Sequence, residues 1–282
     1  MTRVAVVSDS VADLLPEQVE QAGITVVPLT VSFGDRDYLA GVDLAPEEFW
    51  QELTREGAPF PRTAAASPGS FQQTFERLFA EGAEQIIYVG VGSKLSATVQ
   101  SARVARESFA GRSIEIVDSE SASMGIGLLA LLAAELAGQG VSASEIAATV
   151  ERRRRDLRLY VALETLEYLK RGGRISPARA AIGGLLNVKP IITVEDGAVE
   201  SIGRPRTRSK ARARLLELFG DVRPEQVAVL HGQAPDVGEF AEALAGQVSF
   251  PRERMSIHLV GSSVGPHVGP GAIGAVMLPS GG

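Results

Sequence analysis

The chain has 282 residues, 45% of them hydrophobic, and a formal net charge of −6. That length supports a large core and two domains, and the acidic balance opposes a general nucleic-acid binder. There is no cysteine, which excludes disulfides, thiolate metal sites and thiol nucleophiles.

The opening MTRVAVVSDS reads as a strand over Val4 to Val7 and lacks the basic-then-apolar layout of a signal peptide. The longest apolar run, Gly125 to Ala137, is far short of the ~20 residues a membrane span needs. A cytoplasmic protein with no stable membrane insertion is expected. Asp13 and Pro16 open a first helix. Ile24 to Phe33 is strand-like, with a break at Pro28. Residues 34 to 68 read as loop apart from a helix over Pro46 to Arg55, and a further helix follows over Ser70 to Glu81. Ile86 to Val91 is a continuous apolar run, as in a strand covered on both faces. It enters the turn Gly92-Ser93-Lys94 and a helix that runs to about Phe109. Such a strand-to-helix turn gathers unpaired N–H groups and favours an anion, with the hydroxyls of Ser93, Ser96 and Thr98 nearby. A strand at Ser113 to Val117 and helices at about 121–138 and 142–157 complete this half.

From Leu159 the pattern changes. Strand Leu159 to Leu163 and a short helix to Lys170 lead into Arg171-Gly172-Gly173-Arg174, then a small-residue helix over Pro177 to Leu186. Val188 to Val194 and Val199 to Ile202 form a hairpin about Glu195-Asp196-Gly197. A basic helix (Lys210 to Phe219), a strand (Val227 to Leu230), a helix (Val237 to Leu244) and strands near 256–260 and 272–278 follow. The expected fold is α/β with two domains. Residues 1–158 form a Rossmann-like parallel sheet with flanking helices, and residues 159–282 a mixed sheet with helices.

Gly90-x-Gly92 lacks the third glycine of a dinucleotide fingerprint, and no P-loop is present. Gly261-x-Ser263-x-Gly265 has the spacing of a nucleophile elbow. No Asp or Glu follows Ser263, however, and Pro266 opposes a helix directly after the turn. His231, His258 and His267 have no metal-ligand spacing, and the first two read as structural. His267 lies in a Gly/Pro-shaped segment suited to presenting a side chain to a ligand. Arg204, Arg206 and Arg208 alternate, so an extended segment sets them on one side. That face is either solvated or a docking surface for an acidic partner.

In order along the chain, VVSDSVADL, VVPLTVSFGD, RTAAASPGSF, GSKLSATVQSA, VDSESASMGIG, LETLEYLKRGGRIS, LLNVKPII, GRPRTRSKA and PHVGPGAIG resemble the DegV family of bacterial fatty-acid-binding proteins. That family includes the acyl-carrying subunits of fatty acid kinase. The resemblance covers essentially the whole chain. It implies a long-chain fatty acid held between two α/β domains, its carboxylate bound by Thr63 and Ser93, with Ser96 the alternative to Ser93. His267 and Arg174 would assist transfer, and Arg204, Arg206 and Arg208 would dock the partner kinase. No cofactor is implied on this chain, since ATP and magnesium belong to the kinase, and no metal site. Two departures stand out. Thr63 is followed by Ala64-Ala65-Ala66 where the family has Ser-Gln-Pro, and Gly92-Ser93-Lys94-Leu95-Ser96-Ala97-Thr98 replaces Ser-Ser-x-Leu-Ser-Gly-Thr. Two other readings stay open: a stand-alone phosphotransfer enzyme, and a regulatory module for a small phosphorylated metabolite.

Overall fold

The computed structural model describes residues 3–175 and 188–281; the helix expected over Pro177 to Leu186 lies outside them. The first half runs β1 (Val4–Asp9), α1 (Pro16–Ala22), β2 (Ile24–Val27), β3 (Thr30–Phe33), β4 (Arg36–Leu39), α2 (Pro46–Thr54), β5 (Arg62–Ala64), α3 (Pro68–Ala80), β6 (Gln85–Gly90), α4 (Thr98–Arg106), β7 (Ser113–Asp118), α5 (Met124–Gly138) and α6 (Ala143–Arg153). Proline opens α1, α2 and α3, where its missing N–H costs nothing. Pro28 separates β2 from β3, as expected. The 34–68 stretch is less loop-like than its sequence suggests. β4 and β5 flank β3 in a small antiparallel sheet. These strands are only three or four residues long, too short for a periodic signal.

β2-β1-β6-β7 form a wholly parallel sheet in that order. β6 is its centre, with Ile86, Ile87, Tyr88 and Val89 fully buried, because helices cover both faces. α5 is apolar on every side, from Met124 to Ala133. Such a helix must be enclosed, and it packs against β1 and β6 on one side and against two strands of the second half on the other.

The second half adds β8 (Arg158–Ala162), α7 (Glu167–Arg171), β9 (Ile191–Glu195), β10 (Ala198–Gly203), α8 (Arg208–Phe219), β11 (Pro224–His231), α9 (Val237–Val248), β12 (Ser256–Leu259), α10 (Gly265–Val268) and β13 (Ile273–Pro279). The mixed sheet is ordered β10-β9-β8-β13-β11-β12, with only β11 and β12 parallel. Its faces separate by strict alternation. Tyr160, Ala162, Val227, Val229, Ala275 and Met277 pack with residues of α8 and α9. Leu159, Val161, Ala228, Leu230, Val276 and Leu278 turn the other way and join the core of the first half. The change of sheet falls at Arg158, yet one hydrophobic cluster runs across it. That shared face is where a cavity opens.

Candidate functional site

In a parallel sheet ordered this way, the chain leaves β1 toward β2 and returns on β1's other side as β6. Ligand crevices form beyond the carboxyl ends of strands at such a switch point. Asp9 ends β1 there and is fully buried. One carboxyl oxygen accepts from Tyr88 Oη at 2.5 Å and Val91 N at 3.0 Å, and the other from Val11 N at 3.0 Å. Burial raises its pKa against these donors. The carboxyl thereby pins both strand ends and turns the chain into a 3-10 turn over Ser10–Ala12.

Asp13 ties this turn to the rest. It sits at φ 51°, accepts from Ser123 Oγ at 2.5 Å and from Gly261 N at 2.9 Å, and its carbonyl accepts from His258 Nδ1 at 2.8 Å. His258 Nε2 meets Ser256 Oγ at 2.7 Å. Both ring nitrogens are thus engaged, as a structural histidine requires, and burial pushes its pKa down to about 4. Burial pushes Asp13 up to about 7. Folded Asp13 therefore keeps a proton that an unfolded aspartate loses near ~3.9, and stability falls as pH rises through that window. Asp13→Asn removes this loss. Between about pH 5 and about pH 7 it should gain on the parent by up to ~1.4 kcal/mol per unit in denaturant melts. His258 and His267 act oppositely, but both proteins carry them, so they drop out of the difference. A difference constant with pH would contradict the assignment.

Beyond the strand ends lies a narrow cavity with an empty volume of about 900 Å³, counting its open mouth. Its walls come from both halves: Val11, Leu29 and Val91 from the first, and Leu159, Val161, Ile192, Val194, Val199, Leu230 and Val260 from the second. One end is polar. Thr63 on β5, Ser96 ahead of α4, Arg174 after α7 and His267 on α10 all line it. Thr63 Oγ1 and His267 Nε2 are 3.3 Å apart. Arg174 donates through Nε to the Leu95 carbonyl at 3.1 Å and through Nη1 to the Gly172 carbonyl at 2.7 Å. Burial, with the Arg174 charge beside it, pushes His267 down to about 4, so the ring is neutral near pH 7. Arg174 is half-buried and its pKa is lowered by burial, which leaves a cation in a largely apolar wall.

Of the residues read from sequence, four line this cavity: Thr63, Ser96, Arg174 and His267. Ser93 does not join them. It is exposed, and its N–H is taken by the Asp118 carboxylate at 3.2 and 3.3 Å. Helix α4 begins only at Thr98, so the turn is longer than its sequence suggests and Ser96 reaches the cavity instead. The Ser96 hydroxyl lies 2.9 Å from Thr98 Oγ1. Arg208 also departs from expectation. The alternating spacing ends where α8 starts, at Arg208 itself. Its guanidinium is spent on Asp236 (3.0 and 2.5 Å), Glu164 (2.6 Å) and the Gly271 carbonyl (2.7 Å). It braces the loop beyond His267 and offers no docking face, while Arg204 and Arg206 are exposed. Pro266 opens α10 rather than preventing it, since a first-turn proline is tolerated.

Ser263 carries no ligand signal in the sequence. It lines the cavity and pairs with Ser10 Oγ at 2.8 Å rather than with a histidine, so the Gly-x-Ser-x-Gly spacing builds no triad. Ser123 lines the cavity too, and nothing in its sequence context marks it. Among the described residues no group of three or more metal-ligating side chains converges, and no helix is long and apolar enough to cross a membrane.

An α/β chain with a parallel and a mixed sheet, an apolar cavity at the switch point, and Thr63, Ser96, Arg174 and His267 in its lining is a defined structural class. The chain belongs to the DegV family, whose model, described as "Uncharacterised protein, DegV family", matches residues 3–280. It is 36% identical over 279 residues to a DegV domain-containing protein of Caldanaerobacter subterraneus, covering 97% of this chain and 98% of that one. To one of Streptomyces coelicolor it is 37% identical over 283 residues, covering 97% and 98%. Among solved structures, a DegV family protein of Thermus thermophilus, described for its fatty acid binding, superposes with a TM-score of 0.89 at 35% identity, over 99% of this chain and 100% of that one. DegV of Bacillus subtilis, a fatty acid binding protein, gives 0.86 at 29% identity, with 98% of each chain covered.

Proposed function

We propose that this chain binds a long-chain fatty acid in the channel and presents its carboxylate to a partner kinase, which forms the acyl phosphate. The observation that carries this reading is a cavity lined mostly by apolar side chains, with hydroxyls, a neutral imidazole and one half-buried guanidinium among them. A fatty acid has the same profile, with a long apolar tail and one anionic head. The fatty acid binding of the Thermus thermophilus and Bacillus subtilis relatives supports it. Thr63 and Ser96 would donate hydrogen bonds to the carboxylate, and Arg174 would supply the opposing charge. His267, with its pKa near 4, acts as a neutral hydrogen-bonding group beside Thr63 and not as a second cation. The chain then works as a cytoplasmic carrier, not an enzyme on its own. ATP and magnesium reside on the kinase.

Arg204 and Arg206, exposed on the stretch between β10 and α8, are the proposed docking charges. An anionic carboxylate must approach an anionic nucleotide site, and positive charge around the delivery point opposes that repulsion and speeds encounter. The test supplies palmitate, ATP, magnesium and a bacterial fatty acid kinase, and measures acyl-phosphate formation. The parent is expected to turn over. Arg204→Glu/Arg206→Glu is expected to keep palmitate affinity but lose about tenfold in kinase association at low salt, less at high salt where rim charges are screened. Equal association of parent and double variant at low salt would remove these arginines from the interface. Absence of acyl phosphate from the parent would contradict the carrier role.

A further inference from the structure

The His267 ring is seated by a missing side chain. Gly172 follows α7 with φ −75° and ψ −7°, helical values that any residue adopts. The backbone therefore does not require glycine here, whereas Gly173, at φ 69°, is in the left-handed region. A Cβ on Gly172 would stand 2.1 Å from His267 Nδ1 and 2.8 Å from its Cε1, with the Tyr168 carbonyl at 3.1 Å. An imidazole is rigid and cannot bend away as a long side chain would. His267 Nδ1 is buried and has no hydrogen-bond partner among the described residues. The Gly172 carbonyl also accepts from Arg174 Nη1 at 2.7 Å. One residue thus touches both His267 and Arg174.

This contact fixes a hydrogen-bond direction. A neutral imidazole carries one N–H. On Nδ1 it would be a buried donor with no acceptor, an arrangement that native structures avoid. On Nε2 it points at Thr63 Oγ1, 3.3 Å away. Thr63 then accepts from the ring, and its own O–H is left to donate elsewhere. We propose that Gly172 is a positioning residue, its bare Cα holding the His267 imidazole so that Nε2–H bonds Thr63 and turns the Thr63 hydroxyl into a donor to an anion in the channel. The proposal rests on the fatty acid reading for the identity of that anion, a carboxylate, and on the geometry alone for the rest.

The test is long-range ¹H–¹⁵N NMR of the imidazoles in ¹⁵N-histidine-labelled chain, together with palmitate binding. The chain has three histidines, and His267→Ala identifies the signal. In the parent, His267 is expected to show the Nε2–H tautomer and no titration from about pH 5.5 to about pH 8. In Gly172→Ala the displaced ring is expected to titrate within about a unit of 6.5, with palmitate binding weakened about tenfold or more. An Nδ1–H tautomer in the parent, or an unchanged spectrum and affinity in Gly172→Ala, would overturn the proposal. If Gly172→Ala fails to fold, Gly172→Ala/His267→Ala decides. Removing the ring removes the clash, so the double variant is expected to melt close to His267→Ala, and a failure to recover would also overturn it. A parent that binds no palmitate contradicts the fatty acid reading, while the tautomer and titration still judge Gly172.

Discussion

Palmitate is expected to bind this chain at least about a hundredfold more tightly than octanoate. The two acids share a head group and differ by eight methylenes, so the ratio measures the channel walls alone. Burying each methylene contributes ~0.8 kcal/mol, about 6 kcal/mol for the difference. Ordering the longer chain takes back part of this; with half lost, ~3 kcal/mol remains, roughly two orders of magnitude in Kd. The walls suit an alkyl chain, since Val161, Ile192, Leu230 and Val260 are buried apolar side chains lining the bore. Isothermal titration of both acids, with glucose 6-phosphate as a third ligand, separates the readings of the site. Equal affinity for the two acids, or tighter binding of the sugar phosphate, would place the binding energy in the head group and favour a module for a phosphorylated metabolite.

Arg174→Met is expected to weaken palmitate by about 2–5 kcal/mol, because truncating one partner of a desolvated charge pair leaves the other uncompensated. Methionine keeps much of the side chain's apolar volume, so the loss reports charge and hydrogen bonding rather than packing. It also frees the carbonyls of Leu95 and Gly172, which Arg174 now satisfies. Thr63→Ala removes one neutral donor to a charged acceptor and should cost about 1.5–3 kcal/mol, with Ser96→Ala in the same range. Ser93→Ala is expected to change nothing, since its side chain is exposed. Titration of the four variants gives the order. A loss in Ser93→Ala with none in Ser96→Ala would return the carboxylate to the β6–α4 turn.

Much of this site is legible in the residues. The continuous apolar run of β6, the Pro-led helices and the division into a parallel and a mixed sheet follow from composition and period. His267 stands out because Gly and Pro crowd around it, and Arg174 because it closes a Gly-Gly turn. Thr63 is marked by family resemblance alone, since nothing local distinguishes it from other threonines. The choice between Ser93 and Ser96 depends on where α4 starts, and helix ends are poorly marked in any sequence. Here the N–H of Ser93 is claimed by Asp118, a residue 25 positions away on the neighbouring strand, which no local pattern records. Arg208 illustrates the same limit. Its alternation with Arg204 and Arg206 is real, but Asp236 and Glu164, far off in sequence, decide that it is a brace. Ser123 and Ser263 reach the cavity because Asp13 and Ser10 draw distant loops together, and long-range pairings of that kind leave no trace in spacing.

The central claim is that the channel holds a long-chain fatty acid, and the direct measurement is mass spectrometry of an organic extract of the purified, denatured chain. Tail burial offers about 11 kcal/mol for some fourteen methylenes before ordering costs, enough for the ligand to survive purification. The expected result is long-chain fatty acid at about one molecule per chain. An extract with no more fatty acid than that of an unrelated protein prepared in the same way would contradict the account.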